Sequence, residues 1–199
     1  MIINEKSLDI IGLMALGIIV ISLIYFGMRL TGNVTNTAII NVTIEKNANI
    51  KFSLSDINFG LGSVDNLKQN ATIDTLGNVI DGNWTPTVGG LRLENLGNVN
   101  VSLQLKSGKT ASQFLGGTNP SYQYRVSNKD GENQSCYGGV NLDSWYDVNT
   151  TGYGSIICDN FPSLDSNDEI DINIRLIIPS DSVRGFQTDS ITATGTANY

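Results

Sequence analysis

At 199 residues the chain has room for one substantial domain and an appendage, but two ordinary domains are not expected at this length. Twelve Lys and Arg stand against 19 Asp and Glu, for a formal net charge of -7 and a pI near 4.4, which opposes binding to nucleic acid. The sequence contains no His, so the commonest general base, neutral-pH charge switch and zinc ligand are all missing.

In chain order, the first feature is IIGLMALGIIVISLIYFGM, Ile10 to Met28, an uncharged run that as a helix would cover about 28 Å, close to the hydrocarbon thickness of a bilayer. No small-x-small cleavage site follows it, so the expectation is a retained single-pass anchor over residues 1–30, with its core at 10–28. A buried core helix is the competing reading, but nothing else in the chain is helical enough to pack round a helix apolar on every side. Lys6 and Arg29 flank the run too evenly to set its orientation.

Asn-x-Ser/Thr sequons begin at Asn33, Asn41, Asn70, Asn83, Asn100, Asn133 and Asn149. Chance placement among 23 Asn and 34 Ser plus Thr would give roughly four, a modest difference, yet all seven lie beyond the apolar run. Together with the cysteine pair they favour a cytoplasmic amino terminus, a location in the cell membrane, and a glycosylated domain outside it. TGNVTNT, residues 31–37, reads as a polar stalk, and residues 38–199 as an extracytoplasmic domain.

Strands are expected next. AIINVTIE, Ala38 to Glu45, alternates Ile40, Val42 and Ile44 against Asn41, Thr43 and Glu45; Ile50, Phe52 and Leu54 alternate in the same way. INFG at 57–60 and TIDTLGNVI at 72–80, turning at Gly77-Asn78, follow. LRLENLGNVNVSLQL, Leu91 to Leu105, holds Leu91 and Leu93, then Val99, Val101, Leu103 and Leu105 inward. Its break at 95–97 predicts a bulge or a change of sheet, with Gly97 free to take a positive φ and Asn95 and Asn98 bonding nearby backbone. YQYRVSNKDG at 122–131, EIDINIRLII at 169–178, ended by Pro179, and SITATGTA from Ser190 complete about eight strands with turn residues between them. Closely spaced strands without a helical period predict an antiparallel β-sandwich.

Cys136 and Cys158 stand in a loop-rich stretch and are expected to pair, contributing about 3 kcal/mol for a loop of this length. Tyr137, Trp145, Tyr146 and Tyr153 gather around them. Exposed aromatics among Asn and Asp suit a sugar-binding or protein-binding face. The alternative, that Trp145 and Tyr146 cover the disulfide and a sheet edge, is preferred because Trp is usually buried. Asp165, Asn167 and Asp168 in DSNDEID form an oxygen-rich turn that could hold Ca²⁺, but the spacing lacks the Gly and terminal Glu of an EF-hand, so a solvated acidic turn is expected. Asn128, Asp130 and Glu132 in NKDGE read the same way, as a turn. No Ser-x-x-Lys, Gly-x-Ser-x-Gly or phosphate-loop pattern is present, so neither an enzyme nor a cofactor is expected.

LRLENLGNVNVSLQL resembles the strand, Asn-x-Gly-Asn, strand segment of Ig-like domains in prokaryotic, archaeal-type cell-surface proteins of the CARDB-like group. The ending IIPSDSVRGFQTDSITATGTA is similar to their closing hairpin. The resemblance runs from about Phe52 to Tyr199 and implies an Ig-like, extracytoplasmic adhesive or structural module; the Cys136 to Cys158 insertion departs from it. The functional expectation is a non-catalytic surface or envelope protein that binds other surface proteins or glycans. One alternative is a filament subunit. A pilin-like helix plus β domain fits the layout, and Glu5 fits an acidic start, but Lys6 and Asp9 interrupt the apolar surface and no prepilin site precedes the run. A homo-polymer could instead form if AIINVTIE is donated to a neighbour's sheet, which predicts an incomplete sheet in the monomer. A carbohydrate-binding module is the second alternative.

Overall fold

The alternating stretches become strands where a second sheet covers their apolar face. A computed structural model describes residues 5–29, 39–132 and 134–198, with the side chains of 5–8, 11 and 24–29 left aside. The stalk at 31–37, Asn33 and Asn133 lie outside the described residues. Two compact units divide the chain, residues 1–44 and Glu45–Tyr199.

In the first unit, α1 spans Glu5–Arg29. Leu13, Met14, Leu16, Ile18, Ile19, Val20, Ile21 and Leu23 are all exposed. Among the described residues no helix is long and apolar enough to cross a membrane. Residues 39–49 form no strand, contrary to the expectation for AIINVTIE: Ile40, Val42 and Ile44 are 91%, 80% and 79% exposed. Alternation encodes a strand with one covered face, and among the described residues no strand pairs with residues 39–44.

The second unit is mainly β, with ten strands in two antiparallel sheets sharing one core, a sandwich-like layout. They are β1 (Ile50–Leu54), β2 (Asn70–Asp74), β3 (Val79–Ile80), β4 (Leu91–Asn95), β5 (Val101–Ser107), β6 (Ser121–Asn128), β7 (Trp145–Asp147), β8 (Ser155–Phe161), β9 (Glu169–Pro179) and β10 (Ile191–Ala197). The single-turn helix α2, Ala111–Phe114, is held by a capping box between Thr110 and Gln113. INFG at 57–60 is loop rather than strand.

The eleven-residue β9 is the spine of the seven-stranded sheet. One edge pairs with β6 from Ile170 to Ile177, and β6 pairs in turn with β7. The other edge meets β4 at Glu169–Ile172 and β2 at Arg175–Pro179, with β1 beyond β4 and β3 beyond β2. Thr75 bridges the gap between β4 and β2: its N–H donates to the Ile174 carbonyl at 3.0 Å, and its hydroxyl accepts from the Ile174 N–H and donates to Asn173 Oδ1, both at 3.0 Å. A buried backbone break is thereby satisfied by a side chain.

The smaller sheet runs β10-β5-β8. Val101, Leu103 and Leu105 of β5 with Ile157, Cys158 and Phe161 of β8 meet Leu91, Leu93, Tyr124, Val126, Ile170 and Ile172 from the larger sheet. The segment between β4 and β5 is therefore a change of sheet. Asn95, 1% exposed, fixes that crossover: Nδ2 reaches the carbonyls of Val99 at 3.0 Å, Phe161 at 3.3 Å and Pro162 at 2.9 Å, while Oδ1 accepts from the Gly97 N–H at 3.1 Å. Gly97 does not use a positive φ. Its need for hydrogen is steric, because a Cβ there would strike the Asn47 carbonyl. Asn98 holds the same entering chain: its Oδ1 accepts from the Asn47 N–H at 2.7 Å, its Nδ2 donates to the Glu45 carbonyl at 2.8 Å, and its N–H donates to the Asn47 carbonyl at 2.9 Å.

Candidate functional site

Loops beside the core of the second unit frame a groove of about 1680 Å³ whose floor is already buried. Ile73 of β2, Ile174 and Leu176 of β9 and Tyr122 of β6 line it from the larger sheet. Trp84 and the 55–68 loop, with Ile57 and Phe59, line it further, as does the 182–190 loop, with Val183 and Phe186. At the same opening stand Phe52 of β1 and Ile191 of β10. Leu61 and Phe186 in these loops are 95% and 93% exposed, so apolar surface continues out of the core to solvent. Pockets for small molecules usually hold about 300–1,000 Å³, so this opening suits a length of polypeptide better. Its ionisable members are Asp56, Asp65, Lys68, Tyr122, Arg184 and Asp189. Burial raises the pKa of the Tyr122 hydroxyl, and the neighbouring Asp189 carboxylate adds to the shift, so Tyr122 stays a neutral phenol.

A second, polar recess of about 610 Å³ lies over outward residues of β4, β6 and β9. Its charges are largely paired. Arg92 makes a two-pronged contact with Asp171 at 2.7 and 3.1 Å, and Arg125 reaches Asp143 at 2.6 Å. Such pairs set orientation on the sheet face rather than reactivity.

The Cys136–Cys158 disulfide is present, with Cα atoms 5.5 Å apart, and both residues are buried. The aromatics near it do not make one platform. Successive residues Trp145 and Tyr146 on β7 point to opposite faces. Trp145 lies against the Arg175 guanidinium, 4.4 Å from the ring centroid, whereas Tyr146 stacks on buried Tyr124 at 5.9 Å and its hydroxyl accepts from the Asn141 N–H. Tyr137 is bridged to Asn160 beside β8, and Tyr153 is exposed in the turn before it.

Asp165, Asn167 and Asp168 belong to the turn entering β9. Asp168 is buried, and its carboxyl pKa is raised first by burial and then by the nearby Glu132 charge. Among the described residues no three acidic, Cys or His side chains converge as a metal site. NKDGE does more than turn: Glu132 accepts from the Ser135 hydroxyl and the Glu169 N–H, both at 2.9 Å, and Lys129 ion-pairs with Glu169. Asn128 Oδ1 accepts from the Ser135 N–H.

Of the sequons, Asn41, Asn70 and Asn83 are exposed and Asn100 and Asn149 half-buried. Asn149 Oδ1 is occupied by the N–H and hydroxyl of its own Thr151. The groove escaped sequence reasoning because its lining comes from segments far apart in the chain, which only the fold brings together. No protein-family model matches the chain, and no curated protein sequence matches it.

Proposed function

We propose that this chain is a non-catalytic, membrane-anchored surface protein whose Ig-like β-sandwich works by binding another protein. The observation that carries this reading is the groove, at whose mouth Leu61, Val183 and Phe186 leave apolar surface exposed. Apolar surface left open beside a core is stabilised by covering it, and a polypeptide segment can lie across exposed apolar residues of this kind. Sugar stacking has less support, since the Trp145 ring is engaged by Arg175.

The anchor reading rests on the uncharged run Ile10–Met28 within α1 and on the exposed apolar side chains along it. Water does not tolerate that many exposed Leu and Ile on one helix, whereas a bilayer does. The sequons and the disulfide support a domain on the outer side. Fractionation tests the assignment. The chain is expected to stay in the membrane pellet through alkaline carbonate washing, to dissolve in detergent, and to be labelled on intact cells by an impermeant lysine reagent. Release by carbonate, or labelling only after lysis, would sink the reading.

A further inference from the structure

We infer that the free edge of β10 receives residues 39–44 of a second copy of this chain as an added strand. The inference rests on the protein-binding reading above and names its partner. The first observation is the edge itself. β10 ends the smaller sheet, and among the described residues its only strand partner is β5.

The register shows which backbone groups are unused. Ser190 accepts from the Gly108 N–H at 2.8 Å, and the Asn198 N–H donates to Asn100 at 2.9 Å. Even-numbered positions therefore exchange hydrogen bonds with β5, and in an antiparallel ladder the alternate positions face away. Ile191, Ala193, Gly195 and Ala197 thus turn their N–H and C=O groups to the open side. The side chains of Ile191 and Ala193 face the core yet are only half-buried, as expected of an inward row that lacks its next neighbour.

The second observation is the unused segment. Residues 39–44 carry Ile40, Val42 and Ile44 on one side and Ile39, Asn41 and Thr43 on the other, and all are exposed. As a strand these six residues extend about 20 Å, comparable to β10. Their apolar row would continue the inward row of Ile191 and Ala193, and the opposite row, Ile39 with the Asn41 sequon and Thr43, would face solvent. An exposed segment of this pattern with no charge and no Pro is an aggregation hazard unless it has a destination.

The donated segment and the receiving edge are different surfaces of the chain, so the contact is heterologous and extends from copy to copy as a chain of subunits.

The test uses the full chain in native membranes. Every natural cysteine is bonded, so Val42→Cys with Ala193→Cys introduces the only free thiols. A short bismaleimide is expected to give a ladder of covalent multimers. Copies carrying Val42→Cys and copies carrying Ala193→Cys, co-expressed under different tags, are expected to give dimers bearing both tags. Adding Ile40→Asp and Ile44→Asp, both on exposed positions, should remove the ladder without changing the circular dichroism or the Cys136–Cys158 bond. An internally linked monomer overturns the inference in favour of closure by the chain's own segment. Absence of any product, or a ladder indifferent to the two Asp substitutions, overturns it as well. If the ladder is absent while the chain remains carbonate-resistant and a different protein is cross-linked at Ala193→Cys, this inference alone fails and the protein-binding reading stands.

Discussion

Replacing Asn95 by Ala tests whether one amide holds the two sheets in their mutual arrangement. The Asn95 amide group has two N–H hydrogens shared among three buried or half-buried carbonyls, and its oxygen holds the Gly97 N–H. Counting three effective hydrogen bonds at about 1 kcal/mol each gives about 3 kcal/mol, and the desolvation of stranded carbonyls moves the estimate upward. For a domain of this size that corresponds to a fall in Tm of about 6–12 °C. Both Trp residues lie in the β unit, so tryptophan fluorescence during urea unfolding of the detergent-solubilised chain reports on this unit alone. Asn95→Asp should be worse than Ala at neutral pH, because a carboxylate would face the same carbonyl oxygens with no hydrogen to offer. A loss below about 0.5 kcal/mol for Asn95→Ala, within the range of ordinary surface substitutions, would refute the pivot.

Other substitutions test separate parts of the structure. Asp168 has a raised carboxyl pKa in the folded state, so it opposes folding when ionised and the penalty fades as pH falls through its folded value. Asp168→Asn should therefore raise Tm at pH 7 and lose that advantage below the ordinary carboxylate range; a gain that persists at pH 3 contradicts the assignment. Replacing Cys136 and Cys158 together by Ser should cost about 3 kcal/mol in urea unfolding, and a smaller effect than 1 kcal/mol would show that the 22-residue separation does not constrain the unfolded chain as assumed. Trp145→Ala removes the contact with Arg175 and should cost about 0.5–1 kcal/mol, while a glycan array probed with both proteins should show no signal that depends on Trp145. A Trp145-dependent glycan signal would revive sugar stacking.

Legibility followed coverage. β4, β5, β6 and β9 were plain in the sequence because each has one face against the core, and Ile170, Ile172, Ile174 and Leu176 are all buried as their spacing requires. Residues 39–44 have the same pattern and form no strand, since alternation encodes a face to be covered and not what covers it. β8 was missed for the opposite reason. SIICDNF buries Ile157 and Cys158 in succession while Ile156 is exposed, and its pairing with β5 shifts register twice, so no period of two survives. The Thr110 to Gln113 capping box was readable and predicts the short turn of helix that follows. The groove could not be read at all, because strands and loops far apart in the chain contribute its lining. The aromatics of the cysteine insertion were visible as a group, but their division between two faces of β7 depended on where that strand paired.

The three hydrogen bonds between Asn98 and the entering chain also have a mechanical meaning. Tension applied ahead of Glu45 would otherwise peel β1 from β4 one pair at a time, beginning at Ile50 opposite Asn95, because an antiparallel edge strand pulled from its end unzips. The Asn98 clip stands before that first pair, so such tension meets its bonds at Glu45 and then at Asn47 before it reaches the first rung of the ladder.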